Sequence, residues 1–133
     1  MSYGSSISLD IPFSEAVARV RAALAGQGFG VLTEIDVTAT LKAKLGEQIE
    51  DYVILGACNP PLAHRALAAD RSIGLLLPCN VVVRAAGAGS IVEALDPQIM
   101  ATLTGRPELK SVADEVTRQL AAALADLTKG EEE

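Results

Sequence analysis

Aromatic residues are nearly missing from this sequence. Of 133 residues only Tyr3, Phe13, Phe29 and Tyr52 carry an aromatic ring of this kind, and there is no tryptophan. Single-stranded nucleic acid is gripped by stacking its bases on such rings within basic grooves, so the scarcity argues against nucleic acid as a partner. Positive charge is short as well. Eleven Lys and Arg against seventeen Asp and Glu leave a formal net charge of −6, the wrong sign for a phosphate backbone. Long apolar runs are also lacking. No window approaches the roughly 18 apolar residues of a bilayer-spanning helix. The start Met1-Ser-Tyr-Gly-Ser-Ser6 has neither the basic segment nor the apolar run of a secretory signal. A cytoplasmic chain without a membrane partner is expected. Cysteine is limited to Cys58 and Cys79, too few for a disulfide framework. Each is therefore either a small buried apolar residue or a reactive thiol.

What is present is aliphatic. Half of the residues are apolar, enough for one core built from Ala, Val, Leu and Ile, and 1–133 reads as a single domain with a frayed, disordered tail at 131–133. Ile7, Leu9 and Ile11 alternate with polar residues as in a half-buried strand. Pro12 ends that strand, and Ser14 is placed to cap a helix to about Ala25 that buries Val17, Val20 and Leu24. Phe29, Val31, Thr33 and Ile35 alternate as a second strand. A short helix capped by Asp36 or Thr38 then ends at Gly46. The unbroken apolar run Tyr52–Ala57 suits a strand covered on both faces. Asn59, Pro60 and Pro61 suit the opening of a helix to about Ala69. The structure of 73–77 is left open by pattern. A strand from Cys79 to Arg84, a turn at Gly87 and Gly89, and a strand from Ser90 to Leu95 predict a hairpin. Asp96-Pro97 starts a short helix with Ile99, Met100 and Leu103 inward. Pro107 opens the longest helix, with Leu109, Val112, Val116, Leu120, Ala123 and Leu127 as one apolar stripe and Gly130 as its stop. This order suits an α+β fold, a curved antiparallel sheet in β-α-β-β-β-β-α order, with two main helices on one face and short inserted helices.

Chemistry is most plausibly carried by the paired segments Tyr52–His64 and Leu75–Val83. They hold both cysteines, the only histidine and two Cys-Asn dipeptides. Cys58 precedes a helix whose free amides would stabilise a thiolate, which suits a nucleophile or metal ligand. Cys79 opens a strand and is open to the same two readings, reactive or buried. His64 lies one turn into the helix after Cys58, so Cys58, His64 and Cys79 offer a set adequate for zinc or copper, although the spacing matches no standard short motif. Asn59 has a capping role available. Asn80, within a strand, needs a partner, which a ligand, a neighbouring strand or a second subunit can supply. Lys42 and Lys44 offer an anionic ligand a landing point near the Cys58 edge, or simply solvate a helix face. Glu34, Asp36 and Asp96 are candidates for a carboxylate cluster, with capping the alternative for both aspartates. No phosphate-binding loop, dinucleotide fingerprint or Ser-His-Asp set rises above chance.

The segments Ile54-Leu-Gly-Ala-Cys-Asn-Pro60 and Gly74-Leu-Leu-Leu-Pro-Cys-Asn-Val-Val-Val83 resemble a bacterial and archaeal family called domain of unknown function 302. Glu34-Ile-Asp-Val37, Thr40–Gly46 and Ala94–Met100 add to the likeness, which covers nearly the whole chain. The resemblance implies a fold similar to the TATA-binding-protein class, assembled as a homodimer, and implies no activity or cofactor. Three functions stay open on these residues. One is a small-ligand site formed by Cys58, Asn59, His64, Cys79 and Asn80. Another is a thiol redox or sulfur-carrier protein using Cys58 and Cys79, with or without a metal. The third is an interaction module with both cysteines buried.

Overall fold

The computed structural model describes residues 3–132, with side chains to Lys129. Strand β1 (Gly4–Leu9), helix α1 (Phe13–Gly26), strand β2 (Gly30–Asp36) and helix α2 (Val37–Leu45) come first. Strand β3 (Tyr52–Cys58) and helix α3 (Pro60–Ala69) follow, and a 3-10 turn over Arg71–Leu76 settles the stretch that pattern left open. Strands β4 (Cys79–Ala86) and β5 (Gly89–Leu95) form the expected hairpin, and helices α4 (Gln98–Thr104) and α5 (Glu108–Glu132) come after it.

The five strands form one antiparallel sheet in the order β1-β5-β4-β3-β2, with β1 and β2 at its edges. Side chains alternate between its two faces. On one face Val53, Leu55, Ala57, Cys79, Val81, Val83, Val92 and Ala94 are buried. Helix α5 covers them with the stripe the sequence predicts: Leu109, Val112, Val116, Leu120, Ala123 and Leu127 are all buried. Helix α1 adds Ala16, Val20 and Leu24, and α3 adds Leu62 and Ala66. Full burial of such side chains is worth roughly 1.5–3 kcal/mol each, so this face is where the fold is stabilised. The opposite face carries Tyr52, Ile54, Asn80, Val82, Glu93 and Leu95, none of them buried. The α+β architecture with an open antiparallel sheet is the expected one.

Exposed ion pairs link one helix to the sheet edge and one helix to another. Arg21 of α1 meets Glu34 of β2 at 3.1 Å, and Arg65 of α3 meets Glu115 of α5 at 2.9 Å. Ser90, the one buried polar residue of the core face, donates its hydroxyl to the Ile11 carbonyl at 2.9 Å. Among the described residues no buried side-chain nitrogen or oxygen lacks a partner.

Several local expectations are corrected. Pro12, not Ser14, precedes the first turn of α1 and gives no side-chain cap. The pairing of β2 with β3 shifts between Val31 and Thr33. That extra residue reverses the alternation, so Val31 faces the helices while Thr33 and Ile35 face outward and are exposed. The second strand is therefore not one uninterrupted face. Strand β3 is covered on one side only, with Tyr52 and Ile54 half-buried on the other. Leu103 is exposed rather than inward, and only Met100 of α4 is buried. Helix α5 continues through Gly130 to Glu132, so Gly130 does not end it. Glu133 lies outside the described residues.

Candidate functional site

Register places the two cysteines together. Ala57 pairs with Cys79 and Gly56 with Asn80, so Cys58 ends β3 directly beside the start of β4. Alternation then separates their fates. Cys79 points to the helix side with Val81 and Val83 and is 6% exposed. Cys58 has the opposite parity, ends its strand and is half-buried. Between them, beneath α3 and α5, lies an apolar cavity of about 20 Å³ lined by Phe29, Ala57, Leu62 and Met100 as well as both thiols. That volume accommodates about one water molecule and nothing larger.

Burial disfavours the thiolate at both cysteines. Burial pushes the Cys79 thiol up to about 11, and the neighbouring Cys58 pushes in the same direction. Burial also raises Cys58. Burial thus acts against the expected lowering of the Cys58 pKa, because removing a thiolate from water disfavours it.

Asn59 is fully occupied by the fold. Its Oδ1 accepts from the Leu62 amide at 3.3 Å, capping α3, and its Nδ2 donates to Gln119 Oε1 of α5 at 2.8 Å. His64 is exposed on α3, two residues from each of the buried Leu62 and Ala66, and so on the opposite side of the helix from the cavity. The Cys58, His64 and Cys79 set is therefore not assembled. Among the described residues no group of three His, Cys, Asp or Glu side chains is placed to hold a metal ion. Lys42 and Lys44 are at the other end of the sheet from Cys58, since Gly30 pairs with Cys58 and α2 follows Asp36, the partner of Val53. The carboxylates do not gather either. Glu34 pairs with Arg21, Asp36 caps α2 through the Ala39 amide at 2.9 Å, and Asp96 accepts from the Gln98 amide at 3.0 Å.

Asn80 differs from all of these. It is exposed, lies on the open face, and its side chain makes no hydrogen bond with any of the described residues. Two clefts meet at it. One, of about 210 Å³, runs from Asn80 and Pro78 across the Leu75–Leu77 turn to Asp96, Pro97 and Ile99. The other, of about 200 Å³, lies on the open sheet face and is lined by Tyr3, Tyr52, Asn80, Val82, Glu93 and Leu95. Glu93 is held in place by Arg84, whose Nε donates to Oε1 at 3.0 Å. Gly56, the partner of Asn80 on β3, is roofed by the side chains of Thr33 and Pro78, and a Cβ built on it would stand 2.8 Å from Pro78 Cγ. A wider cleft of about 510 Å³ runs between β1 and α5. Its threonine hydroxyls are already spent on their own helix, Thr117 on the Ala113 carbonyl and Thr128 on the Ala125 carbonyl.

Of the five residues expected to form one pocket, Cys58, Asn59 and Cys79 thus surround a cavity too small for a ligand, His64 stands apart, and Asn80 opens onto larger space. Tyr3, Tyr52 and Glu93 were not singled out by sequence reasoning. The only available signal was that the two tyrosines of an aromatic-poor chain fall in or immediately before strands.

An α+β fold with one packed face, one open face and its unspent polar groups on the latter is the class defined by these observations. The chain belongs to the DUF302 family: residues 5–127 match the model described as domain of unknown function DUF302. It is similar to the crystal structure of an uncharacterized conserved DUF302 protein from Bacillus stearothermophilus, with 29% identity and a TM-score of 0.86 over 94% of this chain and 98% of that one. A search of curated proteins finds no match. Among the described residues no helix is long and apolar enough to cross a membrane.

Proposed function

We propose that this chain is a cytoplasmic, single-domain small-ligand-binding protein that works as a homodimer, with its site in the two clefts that meet at Asn80. The observation that carries this reading is the unspent Asn80 amide at that junction. An amide offers both a donor and an acceptor, the minimum needed to orient a polar ligand on an otherwise apolar floor. Neither cleft alone reaches the roughly 300 Å³ of a typical small-molecule site, whereas the two jointly exceed it. Thermal-shift screening of the wild type and Asn80→Ala against a chemically diverse fragment set tests the reading. Stabilising fragments that lose their effect in Asn80→Ala support it, and fragments that stabilise both proteins equally overturn it.

The homodimer is supported by a stretch that the chain leaves uncovered. No residue from Gly30 to Asp51 is buried. Leu32, Ile35, Leu45 and Ile49 are exposed along it, on and beside an edge strand. Lys42 and Lys44 are followed in sequence by Glu47, Glu50 and Asp51, and none of the five makes an ion pair among the described residues. A two-fold axis can set the lysines of one copy against the acids of the other. Sedimentation should give a dimer for the wild type and a folded monomer for the double variant Ile35→Glu/Leu45→Glu. A wild type that remains monomeric contradicts the assembly.

The thiol-based alternative has the adjacency of Cys58 and Cys79 in its favour. Against it stand two thiols raised by burial, which at neutral pH hold their protons.

A further inference from the structure

We propose that the open-face cleft between Tyr3 and Tyr52 takes a small organic cation, an alkylammonium or its N-methylated form. This rests on the ligand-binding reading above and names the class of ligand for half of that site. The two tyrosines are the only ones in the chain, far apart in sequence, and the sheet brings both to one cleft of about 200 Å³. Tyr3 is 62% exposed and Tyr52 half-buried, so their rings are free to close on a guest. Glu93 is the only charged residue lining this cleft. Arg84 engages its Oε1, which fixes the carboxylate and leaves Oε2 for a ligand. Asn80 also lines the cleft, and its amide has an oxygen to offer. Glu93 is ion-paired with Arg84, so its Oε2 acts as an acceptor within a neutralised pair, while the ring quadrupoles are what hold a cation over tyrosine faces. The net charge of −6 favours the approach of a cation over that of an anion. Val82 and Leu95 supply an apolar floor for the methyl or methylene groups such a cation carries.

The chain has no tryptophan, so its intrinsic fluorescence is dominated by the two tyrosines of this cleft and reports occupancy directly. Titration with choline chloride and with tetramethylammonium chloride should give a saturable change. The uncharged choline isostere 3,3-dimethylbutan-1-ol and sodium acetate should give none. Tyr52→Leu and Glu93→Gln should each weaken choline binding about tenfold, with Tyr52→Phe keeping it. Should Glu93→Gln fail to fold, the Tyr52→Leu and Tyr52→Phe pair still decides. No saturation with either cation, an equal response to the alcohol, or a choline response indifferent to Tyr52→Leu overturns the proposal. Binding to phosphatidylcholine vesicles without binding of free choline overturns the assignment to a small soluble cation. If acetate or the alcohol binds in an Asn80-dependent way while the cations do not, the cation falls and the ligand site stands.

Discussion

The two Cys-Asn dipeptides are alike in sequence and opposite in use. In the first, the cysteine is half-buried and the asparagine is consumed, capping α3 and bonding Gln119. In the second, the cysteine is buried among core residues and the asparagine is exposed and unspent. The difference comes from where each dipeptide sits on its strand. Cys58 is the last residue of β3, so Asn59 has already left the sheet and becomes a helix cap. Cys79 is the first residue of β4, so strict alternation sends Asn80 to the face opposite the core. A motif repeated in sequence is thus split by geometry into a structural half and a half with free chemistry.

The sharpest way to break this comparison is to place a charge at each cysteine. Cys79→Asp buries a carboxylate without a partner and should cost at least about 3 kcal/mol, measured by urea denaturation. Cys58→Asp sits at a half-buried strand end where water can still reach a carboxylate, and should cost less than about 1 kcal/mol. Equal costs would remove the distinction between the two faces.

Next in size is Gly56→Ala. A Cβ would meet the Pro78 ring and displace the Thr33 side chain, a local overpacking expected to cost about 1–3 kcal/mol. If Thr33 swings away and Pro78 yields, the loss will fall below that range and the packing opposite Asn80 is softer than described.

The asparagines give the third test. Asn59→Ala removes a cap and an interhelical hydrogen bond and should lower stability by about 1–2 kcal/mol. Asn80→Ala removes no contact and should change stability by less than about 0.5 kcal/mol.

The smallest effect is in pH dependence. Because the folded state holds the Cys79 proton up to about 11, while an unfolded thiol releases it near about 8.5, folded and unfolded forms bind protons equally below that lower value. Stability then declines as pH rises from the unfolded toward the folded pKa. Under native conditions iodoacetamide should label Cys58 before Cys79, and Cys79→Ala should flatten the alkaline decline. Faster labelling of Cys79 would contradict its placement in the core.

Much of this was legible in the sequence where the signal is local. The α5 stripe, the turn at Gly87, the cap at Asn59 and the shared sheet end of the cysteines follow from periodicity, proline position and strand order. Asn80 stood out because an amide inside an apolar strand has no local use. The outward turn of Thr33 and Ile35 was not legible, since a one-residue bulge leaves no mark on an alternating pattern. The convergence of Tyr3, Tyr52 and Glu93 was hidden for a different reason: it depends on β1, β3 and β5 coming together in the sheet, a long-range fact that no window contains. His64 misled because it was rare. Its distance from Leu62 and Ala66 along the helix already placed it on the far side from the thiols.

The central claim is that unspent chemistry lies at Asn80 on the open face and not between the thiols. Mapping amide and side-chain NMR shifts of the labelled wild type during the fragment screen tests it most directly. The account predicts perturbations gathered on Asn80, Tyr52, Val82 and Leu95. Shifts gathered instead on Cys58, Asn59 and His64, with Asn80 silent, would contradict it.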